Sequence, residues 1–400
     1  MNVFDLRQRL VGDYASFIGS FFRIADDRIR ELVDRELREG LLWPEPLIQL
    51  NPSFARGASI DQLAVEGVLH PECRKVFRRK QNQHDTGEPL SLHRHQEEAI
   101  RAAAAKRNFV LTTGTGSGKS LTYIIPIVDS VLREGSGKGI RAVVVYPMNA
   151  LANSQEGELE KFLGFGYPDG KGPVSFRRYT GQEAKEAKEE IVAHPPDILL
   201  TNYVMLELML TRPEERDLIQ AARGLRFLVL DELHTYRGRQ GADVALLVRR
   251  ARTLFESPGL QCVGTSATLA GPGSMVEQRQ EVARVASRLF GAEVAPEGVI
   301  GETLARATQQ RELTEPDFVD ALRARLAEDA PPPALDYPSF TTDPLAIWVE
   351  SAFGLDLEPG SGRLVRARPR AIGGEDGGAA ALAALTGVAV ERCRGRSSRP

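Results

Sequence analysis

Cysteine is scarce: three residues in 400, at positions 73, 262 and 393, with no C-x-x-C among them. That excludes a disulfide framework and a four-cysteine zinc site. No apolar run reaches the ~18 residues that a membrane span requires, so no span is expected. The opening "MNVFDLRQRL" sets Asp5, Arg7 and Arg9 where a signal peptide needs an apolar core, which makes the cytoplasm the expected location. An excess of one charge is missing too. Fifty-one basic against fifty-four acidic side chains leave a net charge of −3, so any nucleic-acid contact has to come from a local patch. No internal repeat is evident. What remains is an ordinary globular composition, 42% apolar and 26% charged, in a chain long enough for two or three domains. One metal alternative arises from His70, Cys73, His84, His93 and His95, whose nitrogens and thiolate suit zinc. Their spacing is irregular, and scattered surface histidines are the plainer reading.

Residues 1–87 read as a helical N-terminal extension. Asp26 is placed to cap a helix whose Ile29, Leu32, Val33 and Leu37 share one face and which Gly40 ends, and the stretch before it predicts another helix. The basic run "RKVFRRK" around Phe77 is either a solvated helix face or a phosphate contact. From 88 to 292 the pattern becomes short β-branched runs separated by helical stretches: "FVLTT", "RAVVVYP", "FRRYT", "DILLT", "FLVLDE" and "CVGTSA". Runs too apolar to expose either face predict an α/β fold with a parallel sheet flanked by helices, whose ligand sits beyond the carboxyl ends of the strands. From 293 to 400 a linker around Pro331–Pro333, a short helix over "DPLAIWVESAFGLDL" and an otherwise irregular, arginine-rich region are expected.

The strongest chemical signal is "LTTGTGSGKS", which follows a strand and opens a helix. In Thr113, Gly114, Thr115, Gly116, Ser117, Gly118, Lys119 and Ser120, the glycines let backbone N–H groups converge on phosphate oxygens at a helix N-terminus. Lys119 reaches the β- and γ-phosphates and Ser120 ligates Mg²⁺. Thr113 stands where the pattern prefers Gly or Ala. A chance glycine-rich turn is the competing explanation. The run "FLVLDELHTYRG" then delivers Asp231, suited to hold Mg²⁺, and Glu232, suited to orient and deprotonate an attacking water. An acidic pair at a strand end more often caps the next helix, but beside a phosphate loop it points to hydrolysis.

Strand, "TGTGSGKS", "DELH" and "SAT" (Ser266, Ala267, Thr268), in that order, resemble the first RecA-like domain of a superfamily 2 DExH-box helicase. The resemblance covers about half the chain. "LHRHQEEAI" resembles the Q-motif and places Gln96 to read the adenine edge. "YPMNALANSQ", "YTG" and "LLTNYVML" resemble motifs Ia, Ib and Ic, which line the nucleic-acid path. The run "DELHTYRGRQGADVALLVRR" looks most like the YprA/MrfA-type DNA helicases, often associated with a DUF1998 region. Asn149, Thr180, Gly181, Thr201 and Asn202 fall just past strand ends, where hydroxyls, an amide and free backbone N–H groups grip phosphates without reading bases. Each taken singly is more often a turn or cap. His234 is expected to couple ATP to nucleic acid, while Arg237, Arg239, Arg249 and Arg250 add basic surface or only solvate a helix.

The resemblance implies ATP and Mg²⁺ as cofactors, a nucleic-acid partner with DNA favoured over RNA, and a second RecA-like domain in cis or in trans. No stretch after "SAT" carries alternating buried strands and helices or matches motifs IV and V. Gly395, Arg396 and Arg399 imitate the arginine motif of that second domain, but Arg392 stands where it wants glutamine, and the ending reads as an arginine-rich tail. The competing functions are a P-loop ATPase without translocation and an ATP-gated nucleic-acid clamp with little hydrolysis of its own.

Overall fold

The computed structural model describes the chain except for residues 1–2, 22–23, 39–42, 44, 115, 268–273, 328–334, 359–361 and 398–400, and it leaves out the side chains of Phe4, Arg38 and residues 395–397. The described chain separates into two compact units, one of residues 54–303 and one of residues 1–53 with 304–400.

The larger unit is built on seven parallel strands: β1 (Phe109–Thr112), β2 (Ala142–Tyr146), β3 (Phe176–Arg178), β4 (Ile198–Asn202), β5 (Phe227–Leu230), β6 (Gln261–Ser266) and β7 (Val299–Gly301). Their order across the sheet is β7-β1-β6-β5-β2-β4-β3. Six of these are the six apolar runs of the sequence. The seventh, "VIG", lies beyond the expected boundary at 292 and pairs Ile300 with Leu111.

Side chains alternate between the two faces, as strand geometry demands. Phe109 and Leu111 join Val144, Val229 and Val263 in one core, while Val110 joins Val143, Leu228 and Cys262 in the other. The first core is closed by α1 (Arg94–Ala104), α2 (Leu121–Glu134) and α3 (Asn149–Leu163), through Ile100, Ile124, Val128 and Leu159. The second is closed by α4 (Tyr203–Met209), α5 (Gly238–Leu254) and α6 (Met275–Phe290), through Leu206, Val248 and Ala286. Both faces are therefore dry. Each Val, Leu or Ile fully buried there contributes about 1.5–3 kcal/mol, which is why these strands read as unbroken apolar runs.

Residues 54–93, expected mostly in a separate helical extension, belong to this unit instead. Arg56–Ser59 pairs antiparallel with Ser91–His93, and Arg78–Arg79 with Glu88–Pro89. A short helix, Ile60–Val65, is held by a Ser59–Gln62 capping box. The run "RKVFRRK" is split: Arg74, Lys75 and Arg79 are exposed, while the residues between and after them turn inward. Val76 and Phe77 are fully buried. Arg74 pairs with Asp61, Lys75 with Glu72, and Arg78 donates to the Gly87 carbonyl. Lys80 is buried and donates to the carbonyls of Phe162 and Phe165 at 2.9 and 2.7 Å.

The smaller unit begins with helices Val3–Gly19 and Asp27–Arg38, the second capped by Asp26 as its sequence suggests. Beside the expected helix, found at Pro344–Phe353, the region read as irregular carries Pro316–Arg325, Tyr337–Thr342, Gly378–Thr386 and Val390–Ser397. It has its own core of Phe318, Leu322, Ile347, Trp348, Phe353, Leu382 and Cys393. The arginine-rich ending accordingly starts on a helix, with Cys393 buried. Arg399 and the Arg396 side chain lie outside the described residues. No described helix is long and apolar enough to cross a membrane.

Candidate nucleotide and nucleic-acid site

The strand order decides which loops meet. β1, β6 and β5 are neighbours, so the phosphate loop, the "SA" turn and the "DELH" turn emerge side by side from their carboxyl ends. β2, β4 and β3 form the other half of the same edge.

The phosphate loop is shaped by two glycines in the left-handed region, Gly116 (φ 78°) and Gly118 (φ 70°). A Cβ on Gly118 would stand 2.5 Å from Nε2 of Gln96. Gln96 is the reason for that closeness. It lies in the first turn of α1, accepts from the His93 N–H at 2.8 Å, and donates to the carbonyl of Gly118 at 3.0 Å. Next to it, His95 is fully buried, with Nε2 3.0 Å from the carbonyl of Ser117. Since a carbonyl only accepts, that nitrogen carries the proton, and burial pushes the pKa of the ring down. Thr113, buried, bonds Ser117 through its hydroxyl at 2.6 Å and takes its amide to the Ser266 carbonyl, tying the loop to β6. The Gly114 amide donates to the Glu302 carboxylate at 3.2 Å. Thr115 lies outside the described residues.

Lys119 opens α2's side of the cleft and donates to Glu232 Oε1 at 3.2 Å, using one of its three N–H donors. Asp231 directly follows β5, and Thr265 on β6 donates to its Oδ1. Burial holds Asp231 above the ordinary carboxylate range, against the Thr265 hydrogen bond and the Lys119 charge, which draw it down. Glu232 is left-handed (φ 53°), a conformation costing a non-glycine residue about 1–3 kcal/mol. His234 Nδ1 lies 3.2 Å from Glu232 Oε2 and 3.3 Å from the Ser266 hydroxyl. A continuous path, Lys119–Glu232–His234–Ser266, thus joins the phosphate loop to the end of β6. Thr268 is outside the described residues. Ser120 and Asp231 present hard oxygen donors, the set that Mg²⁺ prefers together with phosphate oxygens, so these residues fit the metal. Behind them the buried Tyr123 hydroxyl contacts Tyr146 at 3.4 Å and is also bonded to Ser120.

At the other half of the edge, Asn149, Thr180, Gly181 and Asn202 line a cavity of about 310 Å³ with Met148, Tyr203 and Met205. Asn202 bridges them: its Nδ2 donates to Asn149 Oδ1 at 2.7 Å and to the Thr180 carbonyl at 3.2 Å, while its Oδ1 caps α4 through Met205 N at 2.7 Å. Two expectations change. Thr201 does not face the cleft; it is fully buried and donates to the Tyr179 carbonyl at 2.6 Å. The amides of Thr180 and Gly181 are not free either, because both donate to the Glu183 carboxylate, at 2.8 and 2.9 Å. Arg178 steadies Glu183 at 2.8 Å. Arg237 and Arg239 are exposed at the start of α5. Of the histidines whose nitrogens would suit zinc, His93 and His95 stack at 5.5 Å, each beside Phe54. No group of three or more metal ligands occurs among the described residues.

Sequence reasoning missed Thr265, Glu183 and Glu302. Thr265 directly precedes the "SAT" triplet and sits on the strand facing Asp231, which was the one available signal.

A family model described as DEAD/DEAH box helicase matches residues 93–274. That stretch of this chain, which holds six of the seven strands of the parallel sheet, is thus similar to a helicase ATP-binding domain. Among curated relatives, Druantia protein DruE of Escherichia coli is 26% identical over 56% of this chain and 18% of its own length. The ATP-dependent helicase YprA of Bacillus subtilis is 32% identical over 47% of this chain and 24% of its own. A crystal structure of the DUF1998 helicase MrfA bound to DNA aligns with TM-score 0.49 and 21% identity, covering 64% of this chain and 30% of that one. The chain spans about a fifth to a quarter of the length of these curated relatives.

Proposed function

We infer that this chain is the ATP-binding part of an ATP-driven nucleic-acid motor, acting on DNA. The observation that carries the reading is the adjacency of β1, β6 and β5, which gathers Lys119, Asp231, Glu232, His234 and Ser266 in one cluster, beside a second set of polar groups on β2, β4 and β3. In this reading Lys119 and the loop amides hold the β- and γ-phosphates. Ser120 and Asp231 hold Mg²⁺, which when bound neutralises charge on the phosphates. Glu232 orients a water toward the γ-phosphate and takes its proton. Gln96, whose Nε2 is spent on the Ser117 and Gly118 carbonyls, reads the adenine edge through the second lone pair of Oε1. His234 and Ser266 relay the state of Glu232 to the strand ends where Asn149, held in place by Asn202 and Thr180, meets the nucleic-acid backbone.

Such contacts are made to phosphates rather than to bases, so affinity should be independent of sequence and fall with salt. In fluorescence anisotropy with a single-stranded DNA probe, log affinity against log salt should slope at about −0.7 per phosphate neutralised. A flat response would refute a phosphate-tracking surface. An RNA probe bound more tightly than DNA of the same sequence would move the substrate to RNA.

A further inference from the structure

We propose that Thr265, which no motif claims, is a positioning residue of the hydrolytic centre: its hydroxyl fixes the metal-binding carboxylate and the backbone of the catalytic glutamate in one piece. The inference rests on the nucleotide reading above and adds to it.

The geometry is specific. Thr265 is fully buried at the carboxyl end of β6, one strand away from the "DELH" turn. Its hydroxyl donates to Asp231 Oδ1 and accepts from the amide of Glu232 at 3.0 Å. A hydroxyl has one proton and two lone pairs, so a single oxygen here serves two consecutive residues with opposite needs. The two bonds have different consequences. The first orients the Asp231 carboxylate and leaves its other oxygen for a ligand. The second anchors the amide of a residue whose φ of 53° lies in the left-handed region, which is costly for a residue other than glycine. Because Glu232 is left-handed, its side chain turns back toward Lys119, 3.2 Å away, and toward His234. Without the anchor at its N–H, the peptide can rotate out of this conformation and carry the carboxylate away from the γ-phosphate position. A positional error of this size is costly, since a general base has to reach its water within hydrogen-bond distance.

Neighbours on β6 strengthen the case. Ser266 contacts His234 through its side chain and receives the Thr113 amide on its carbonyl. Two successive residues of β6 therefore hold all three of Asp231, Glu232 and His234, and also the phosphate loop. Thr265 is the only one of the two that touches the hydrolytic carboxylate pair. A valine at 265 would keep the shape and burial but offer neither bond.

The test compares the full chain with Thr265→Val and Thr265→Ser, and with Thr265→Ala, which differs from the serine variant only in the hydroxyl. One readout is binding: fluorescent ADP is titrated with and without Mg²⁺. The other is the kcat and KM of ATP hydrolysis. Loss of a supporting bond of this kind typically costs about 10–100-fold in metal affinity or activity. Thr265→Val should raise the Mg²⁺ concentration for half-maximal nucleotide binding about tenfold and lower kcat about 10–100-fold. Its Mg²⁺-free affinity for ADP and its KM should stay near wild type. Thr265→Ser should restore both quantities, and Thr265→Ala should not. A serine variant as impaired as the alanine one, or a valine variant equal to wild type, would overturn the inference. A wild-type chain whose nucleotide affinity ignored Mg²⁺ would instead overturn the nucleotide reading on which it rests.

Discussion

At the residue scale, the site separates binding from chemistry. Lys119 is only 13% exposed along its side chain and sets its ammonium beside Glu232 from the phosphate loop itself. Removing it leaves the Glu232 carboxylate facing the phosphate position without a counter-charge, so Lys119→Ala should abolish Mg·ATP binding in calorimetry. Glu232→Gln differs. The amide keeps the volume and can still accept from Lys119, so binding should persist while turnover stops, because an amide takes no proton from water. A Lys119→Ala chain that bound Mg·ATP like wild type would exclude the phosphate-loop assignment. Much of this was legible in the sequence, since glycines at 114, 116 and 118 and the Asp231–Glu232 pair are local patterns whose chemistry depends on spacing alone. Thr201 was misread for an instructive reason. A threonine near a strand end looks like a cleft residue, but on β4 the alternation points its hydroxyl into the sheet, toward Tyr179. One residue on, Asn202 faces the cavity.

At the element scale, the buried Lys80 shows what sequence could not reveal. In "RKVFRRK" it reads as one more surface cation, yet its ammonium sits on two carbonyls at the end of α3 and 4.8 Å above the Tyr167 ring. It tethers the Arg78–Pro89 segment to the helix, where a cation also meets the negative end of the helix dipole. Hydrogen bonds to charged groups are worth roughly 1.5–3 kcal/mol. Lys80→Met, which keeps the apolar stem, should therefore lower stability by about 2 kcal/mol in denaturant unfolding. Nucleic-acid affinity should stay unchanged. A variant as stable as wild type but weaker on DNA would return the basic run to a phosphate-binding role. Strands buried on both faces were legible because their apolar runs are continuous. β7 was not: its three residues, "VIG", follow the stretch read as the end of the sheet at 292 and carry one β-branched pair only. The antiparallel pairing of Arg56–Ser59 with Ser91–His93 was invisible for another reason, since the partners are more than thirty residues apart and neither alternates cleanly. The second core, around Trp348 and Phe353, escaped because its apolar residues are spread over short helices separated by glycine and proline.

At the scale of the whole molecule, one seven-stranded parallel sheet is present among the described residues, and on the proposed reading it supplies the phosphate loop, the metal carboxylate and the base. Motors of this class hydrolyse ATP between two such domains, with an arginine reaching in from the second to stabilise charge on the γ-phosphate in the transition state. That arginine is worth about 10³–10⁵ in turnover, or roughly 4–7 kcal/mol of barrier at 1.36 kcal/mol per tenfold. The 400-residue chain should accordingly bind Mg·ATP well and turn it over slowly. It should not unwind a duplex, since stepping needs two domains that close and open around each ATP. Gly395, Arg396 and Arg399 have the spacing of such an arginine motif, but the helix that carries Gly395 and Arg396, Val390–Ser397, packs through Cys393 into the core around Trp348, and Arg399 lies outside the described residues. Replacing Arg396 and Arg399 together with alanine should therefore leave the slow rate unaltered. A second RecA-like domain, fused or added as a separate chain, should raise it by orders of magnitude in the presence of DNA. Fast DNA-stimulated turnover by this chain alone, lost on the double replacement, would make those arginines the working pair and remove the need for a second domain.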